Sequence, residues 1–295
     1  MDKQNDGNGL VNRATGLLII EVRSSNPNGD PDRESDPRQR YDDRGEISPV
    51  SFKRKVRDLI ENKEGTVWTK VSGEFNPTLD AANFHILESR GRDRKKIETE
   101  INTNEGVEFR NKYWDGRVFG NTFLEEGSST SIRTGVVQFG LGISIAPIEI
   151  ERSTNTSKSG VQEGKDRGMA PLGYRIITHG VYYMPFLVNP TAARTTGCTY
   201  TDIKLLKKII PYAYSNTPSY VRSLVEIRHA WYIEHKSQLG SCSDFMLIDA
   251  LTPKKKDGLD PEKPSKSWDE YDVPTTLPDN LEGKVESLSD LMDIY

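Results

Sequence analysis

The sequence predicts an α+β domain with the order strand, helix, two strands, helix, strand. Three observations carry that expectation. Val137, Phe139, Leu141, Ile143 and Ile145 alternate with small or polar residues, the period of a half-buried strand. Phe52, Val56, Leu59 and Ile60 recur at i, i+4, i+7 and i+8, the period of a helix with one apolar face. Thr199 and Asp202 have capping-box spacing ahead of Ile203, Leu206 and Ile210.

The elements follow in chain order. Leu17 to Arg23 is an apolar run ending at Asn26-Pro27-Asn28-Gly29-Asp30-Pro31, so a buried first strand leaves into a long turn-rich loop. Ser48 can cap the first helix, and Pro49 suits its first position because its missing N–H would find no partner there. Residues 64–131 show no clean period and read as an irregular insertion. Arg175 to Val188 is a second β-rich run after the 137–145 strand. From Arg152 to Gly173 only Val161, Met169 and Leu172 are sizeable apolar groups, and a structureless stretch that long is uncommon unless it works. Thr199 to Ala213 is the second helix, kinked or ended by Pro211. Val225, Ile227, Trp231 and Ile233 alternate as a further strand, and Asp244 to Leu251 reads as a short one.

This order is the ferredoxin-like, RRM-like βαββαβ pattern, a frame that RNA-binding modules often use. It places residues 1–252 in one such unit, interrupted at 64–131 and 149–174. After Pro253, lysines, aspartates and prolines crowd together, and 253–295 reads as an acidic C-terminal extension outside the core. Its end, with Leu281, Val285, Leu288, Leu291 and Met292, reads as a short amphipathic helix.

Composition narrows the class. A chain of 295 residues fits one large domain with insertions or two small ones. Its longest apolar runs fall far short of the roughly 20 residues a membrane span needs, and Met1 to Asp6 is polar, so a cytoplasmic protein is expected. Cys198 and Cys242 stand alone, which argues against a disulfide framework or a structural zinc site. The net charge of −4 is uneven: from Asp257 onward 11 acidic residues face 3 basic ones, leaving 37 basic against 33 acidic elsewhere. A mildly basic body with an acidic tail is compatible with phosphate binding and is also common among other proteins.

Signals for catalysis are weak. The loop acids Asp30, Asp32, Glu34 and Asp36 could hold a divalent ion, but the calcium-loop spacing fails, with Ser35 in place of Gly and Tyr41 in place of Glu. His85, His179, His229 and His235 belong to no catalytic motif, and His229, on the inward phase of its strand, reads as a satisfied core histidine. Gly140-Leu141-Gly142 is too short for a dinucleotide fingerprint and no Walker sequence occurs, so no cofactor and no metal are expected. The first helix is more informative. Lys53 and Arg57 are four residues apart with Arg54 beside them, near a helix N-terminus whose free N–H groups favour phosphate. A merely solvated helix face would carry the same residues.

At this point the residues resemble a family. Asn26 to Pro31 followed by Phe52-Lys53-Arg54-Lys55-Val56-Arg57-Asp58 resembles the signature of the CRISPR Cascade backbone subunit, especially its type I-C and I-B forms. Asp115-Gly116-Arg117-Val118-Phe119-Gly120, Thr134 to Phe139, Ser144 to Ile148, Asn189-Pro190, Thr196-Gly197, Asp202 to Leu206 and His235 to Gly240 continue the resemblance in order.

The resemblance implies a right-hand shape: a ferredoxin-like palm, inserted fingers and a β-hairpin thumb. It implies RNA contacts at Asn26 and Asn28 of the first loop, at Ser48, Ser51, Lys53, Arg54 and Arg57 of the palm helix, and at Arg133 before the central strand. In the thumb it implies Arg152, Lys165 and Arg167 as backbone contacts and Met169 as the wedge that displaces a nucleotide. The implied partners are guide CRISPR RNA, further copies of the chain, a large subunit, a repeat-end-binding subunit and target DNA, with no membrane and no catalytic residue. The alternative is a type III-like subunit that cuts target RNA through a metal held by a loop aspartate, Asp30, Asp32 or Asp36.

Overall fold

A computed structural model describes residues 11–89, 94–102, 107–120, 134–157, 170–217, 219 and 221–293. In chain order the elements are β1 (Ala14–Ser25), β2 (Gly29–Asp30), β3 (Asp36–Pro37), β4 (Arg44–Ile47), α1 (Pro49–Glu61) and α2 (Thr66–Gly73). Then come α3 (Arg94–Asn102), α4 (Val107–Lys112), α5 (Trp114–Phe119), β5 (Val137–Phe139), β6 (Gly142–Pro147), β7 (Ile150–Ser157) and β8 (Ala170–Val188). The chain ends with α6 (Ala193–Thr196), α7 (Tyr200–Ile209), β9 (Val225–His235), α8 (Asp244–Leu251), β10 (Lys254–Lys255), β11 (Tyr271–Asp272), α9 (Asp279–Glu282) and β12 (Val285–Asp290).

The architecture is α+β around one large antiparallel sheet, with strand order β12-β9-β1-β8-β6-β4 and with β5 and β7 also paired to β8. β1 lies at the centre because it is buried on both faces, which is why Leu17 to Ile20 form an unbroken apolar run with no exposed side chain. Leu18, Ile20 and Val22 face α1 and α7, packing with Phe52, Val56, Leu205 and Ile209. Leu17 and Ile19 point the other way, into a second cluster with Trp231, Ile233, Leu247, Leu251, Tyr271, Leu277, Leu281 and Val285.

Four expectations are corrected here. Residues 66–73, 94–102, 107–112 and 114–119 of the supposed irregular insertion are helical. These helices are too short to establish a period, and the buried stripe of α2 holds three apolar residues, Val67, Trp68 and Val71, beside the polar Ser72. Asp244 to Leu251 is a helix, burying Leu247, Ile248 and Leu251 at i, i+1 and i+4 against the sheet. The segment after Pro253 belongs to the core, since it supplies the cover of the outer sheet face. Its end is the edge strand β12, paired antiparallel to β9 from Val285↔His235 to Asp290↔Trp231. A bulge between Val285 and Ser287 shifts the register by one, which disguises alternation as three-residue spacing. His229 sits on that covered outer face, bonding Asp290 through Nδ1 at 2.7 Å and stacking on Trp231 at 5.0 Å.

Other expectations hold. α1 begins at Pro49 with Ser48 as cap, and α7 carries the Thr199/Asp202 capping box before Pro211 turns it into a single 3₁₀ turn. The 137–145 strand is interrupted at Gly140 and Leu141, and both halves pair with β8. The stretch from Arg152 to Gly173, expected to lack regular structure, differs at its two ends, which pair as antiparallel strands from Ile150↔Ile177 to Ser157↔Ala170.

Candidate nucleic-acid interface

α1 owes its position to the loop before it. Asn28 Oδ1 accepts from the backbone N–H of Ser48 at 2.8 Å, and Ser48 Oγ accepts from the N–H of Ser51 at 3.2 Å. Asn26 donates through Nδ2 to the Ser35 carbonyl at 2.8 Å, and its own carbonyl accepts from Arg222 Nε at 3.1 Å. Both asparagines are buried. Asn28 ties the first loop to the start of the helix and Asn26 closes that loop onto Ser35, while Ser48 and Ser51 at the first turn, each half-buried, stay partly open to solvent.

The four cations of α1, Lys53, Arg54, Lys55 and Arg57, have different fates. Arg57 is only 8% exposed, and its Nε donates to Asp115 Oδ2 at 2.8 Å. Asp115 also accepts from the N–H groups of Leu87 and Glu88, at 2.6 and 3.1 Å. Two residues on, Arg117 grips Asp202 with a two-pronged bond at 2.8 and 3.0 Å and donates to the carbonyls of Arg110, Asn111 and Asn83. The Asp115 to Gly120 motif is therefore a brace, one carboxylate fastened to α1 and one guanidinium to α7. Gly135 closes against it so tightly that a Cβ would lie 2.2 Å from the Phe119 carbonyl carbon.

Lys53 has no hydrogen-bond or ion-pair partner among the described residues. Its Nζ lies 5.1 Å from the centre of the Phe119 ring, which the Arg57 guanidinium also approaches at 5.3 Å. Burial, and then the neighbouring Arg57 charge, push the Lys53 ammonium down to about 8. Lys55 and Lys63 are also lowered by burial to about 8, but each has acceptors: Lys55 donates to Thr217 and Lys63 to the carbonyls of Ile60 and Phe84. Arg54 lies 3.8 Å from Asp58, one turn on.

At the base of the β7–β8 hairpin, Arg152 forks onto Asp36 at 2.5 and 3.1 Å, and Arg175 reaches Asp36 at 3.3 Å and Glu34 beside it. The hydrogen bond from Arg152 holds the Asp36 carboxyl below its usual range. Asp30 caps a short 3₁₀ turn by accepting from the N–H of Asp32 at 3.1 Å. Among the described residues no three His, Cys, Asp or Glu side chains gather as a metal site would require. Arg133, Lys165, Arg167 and Met169 lie outside the described residues. Sequence reasoning passed over Arg175, Arg38, Arg40 and Tyr41; the only signal was the density of charge between Asp32 and Gly45.

The model of the family CRISPR-associated protein Cas7 matches residues 12–276. The chain belongs to the Cas7 family. Among solved structures, this Cas7 chain is similar to a chain of a CRISPR RNA-guided surveillance complex, pre-nicking, at TM-score 0.50 and 15% identity over 76% of this chain and 78% of that one. A chain of another CRISPR RNA-guided surveillance complex gives TM-score 0.47 and 17% identity, covering 84% and 77%. A chain of a type III-B Cmr-beta complex bound to cognate target RNA gives 0.42 and 14%, covering 76% and 61%. No curated protein matches. Across such low identity the likeness concerns the fold, and the family assignment rests on the Cas7 model.

Proposed function

We propose that this Cas7 chain coats guide CRISPR RNA in several copies, as the backbone of a type I, Cascade-like complex of the I-C or I-B kind. In this reading it works in the cytoplasm beside a large subunit and a repeat-end-binding subunit, and holds the RNA open for pairing with target DNA. The observation that carries the reading is Lys53, a half-buried ammonium without a carboxylate partner among the described residues, one turn into a helix whose N-terminus favours anions. An RNA phosphate is the ligand that would complete it.

The strand order β9-β1-β8-β6 supports a ferredoxin-like palm, α2 to α5 support fingers, and the β7–β8 hairpin supports a thumb. Guide sequence varies, so contacts of this kind go to phosphate and sugar and leave base edges free. Met169, Lys165, Arg167 and Arg133 remain assigned by resemblance, as wedge and backbone contacts. A binding role fits the loop acids better than a cleaving one, because Asp36 is engaged by two arginines and Asp30 by a backbone cap.

Fluorescence anisotropy with two single-stranded RNAs of equal length and unrelated sequence tests the reading. Equal affinities that fall steeply with salt are expected; a strong preference for one sequence would contradict it. Incubating the RNA-loaded protein with complementary RNA and Mg²⁺ tests the alternative. Intact RNA is expected, whereas regularly spaced cuts that Asp32→Ala or Asp30→Ala abolishes would establish a metal-dependent nuclease.

A further inference from the structure

Residues 38–46 form an ordered hairpin that the reading above leaves without a role. Arg40 N–H donates to the Arg44 carbonyl at 2.8 Å, Asp43 takes a left-handed φ of 60°, and the Ile148 N–H donates to the Asp43 carbonyl at 2.9 Å. Gln39 pairs with Gly45 across the stem. At the tip Tyr41 is 93% exposed. A ring so placed buries almost nothing in this chain, and the backbone bonds hold it out on a fixed stalk.

The arginines beside it are incompletely satisfied. Arg38 and Arg40 share Glu46 at 3.6 and 3.7 Å, and their other carboxylates, Asp30 and Asp42, stand at 3.9 and 3.8 Å. All four separations exceed hydrogen-bond length. The Nε atoms of both arginines are buried and have no acceptor among the described residues. The Arg40 guanidinium also lies 5.9 Å from the Tyr41 ring centre.

From Arg38 to Glu46 three arginines are balanced by Asp42, Asp43 and Glu46, so bulk attraction does not recruit a ligand here. What the hairpin offers is an aromatic face flanked by directed donors. A protein interface centred on Tyr41 would need apolar neighbours, whereas Arg40, Asp42 and Asp43 surround it. A nucleotide supplies what is missing: a π-face for the ring and phosphate oxygens for the guanidinium N–H groups. The hairpin is also continuous with α1, since the Asn28 carbonyl accepts from Arg38 N–H at 2.9 Å while the Asn28 side chain holds Ser48.

We infer that the 38–46 hairpin is a base-stacking site for single-stranded nucleic acid, with Tyr41 taking one base and Arg38 and Arg40 the adjoining phosphate. This rests on the RNA-binding reading of α1 and extends it to a contact that reading does not contain. Guide RNA and a DNA single strand share the chemistry. The test uses the full chain and fluorescein-labelled oligouridine of about ten nucleotides, within the footprint of one single-strand-binding module. Its comparison probes are an abasic-spacer RNA and an oligothymidine, both of that length.

Wild type should bind oligouridine at least about fivefold more tightly than the abasic RNA, the lower end of one stacked base. Tyr41→Ala should remove that difference and Tyr41→Phe keep it, and the arm that responds, RNA or DNA, identifies the strand. The inference is overturned if Tyr41→Ala leaves the base dependence intact, or changes only how many copies assemble on a long RNA, which would make the tip a contact between copies. If Lys53→Met weakens binding while Tyr41→Ala is silent, the stacking site falls and the RNA-binding reading stands. If wild type binds none of the probes, both fall.

Discussion

Replacing Lys53 with Met isolates the charge of the palm helix while keeping a long apolar stem near Phe119. In the free chain burial holds the ammonium at about 8, against 10.5 for a solvated lysine. Below pH 8 both folded and unfolded chains carry the proton, so the folded state bears the full desolvation penalty; that penalty fades as pH rises from 8 towards 10.5. At pH 7 Lys53→Met should therefore raise stability, by on the order of 1–3 kcal/mol after allowance for partial solvent access. RNA affinity should move the other way. A charge-assisted phosphate bond is worth about 1.5–3 kcal/mol, so the variant should bind roughly 10- to 150-fold more weakly, and its salt slope should shrink by about 0.7. Phosphate favours the charged form, so wild-type binding takes up a proton above the free value, and affinity should drop about tenfold between pH 7 and 9. Lys55 and Lys63 are present in both proteins, so comparing the two cancels their titration. Anisotropy titrations across salt and pH, with thermal melts, give every quantity. A variant with wild-type affinity and salt slope, or one that is less stable than wild type, would refute the argument.

Three further outcomes follow from the packing. Asp202→Ala strands the buried Arg117 guanidinium and should cost about 3–5 kcal/mol in urea denaturation, far more than removing the exposed Tyr41 ring. Gly135→Ala drives a Cβ into the Phe119 backbone 2.2 Å away and should yield little soluble protein or a sharply lowered Tm, which expression yield and calorimetry report. Burial alone would raise Asp290, but hydrogen bonds from His229 and from the N–H groups of Ala230 and Met292 outweigh it and hold the carboxyl low. A depressed carboxylate stabilises above its unfolded value and stops doing so as pH falls through its folded one, so β12 should loosen in acid. Hydrogen exchange over residues 285–290 should show that loosening, and Asp290→Asn should flatten its pH dependence.

Much of the frame was legible because local pattern and tertiary role agree. α1 and α7 carry their caps in sequence, and β1 announces burial on both faces through Leu17 to Ile20. The C-terminal cover was not legible, since the bulge after Val285 breaks the alternation that marks a strand and the segment's acidity suggested a solvated tail. The site divides in the same way. Charge density pointed to Lys53, Arg54 and Arg57 together. Only the contact to Asp115, 58 positions away, separates the braced Arg57 from Lys53, which has no partner among the described residues. Asn26 and Asn28 read as ligand contacts, yet their side chains are committed to carrying the loop. No pattern reveals Tyr41, because exposure on a fixed stalk is a property of the folded hairpin.

Co-expression with a transcript of alternating repeats and spacers, followed by purification and sequencing of any bound nucleic acid, addresses the central claim directly. A ribonucleoprotein particle should emerge, holding processed guide RNA of unrelated spacer sequences and several copies of the chain. Protein that purifies as a monomer free of nucleic acid would contradict the account.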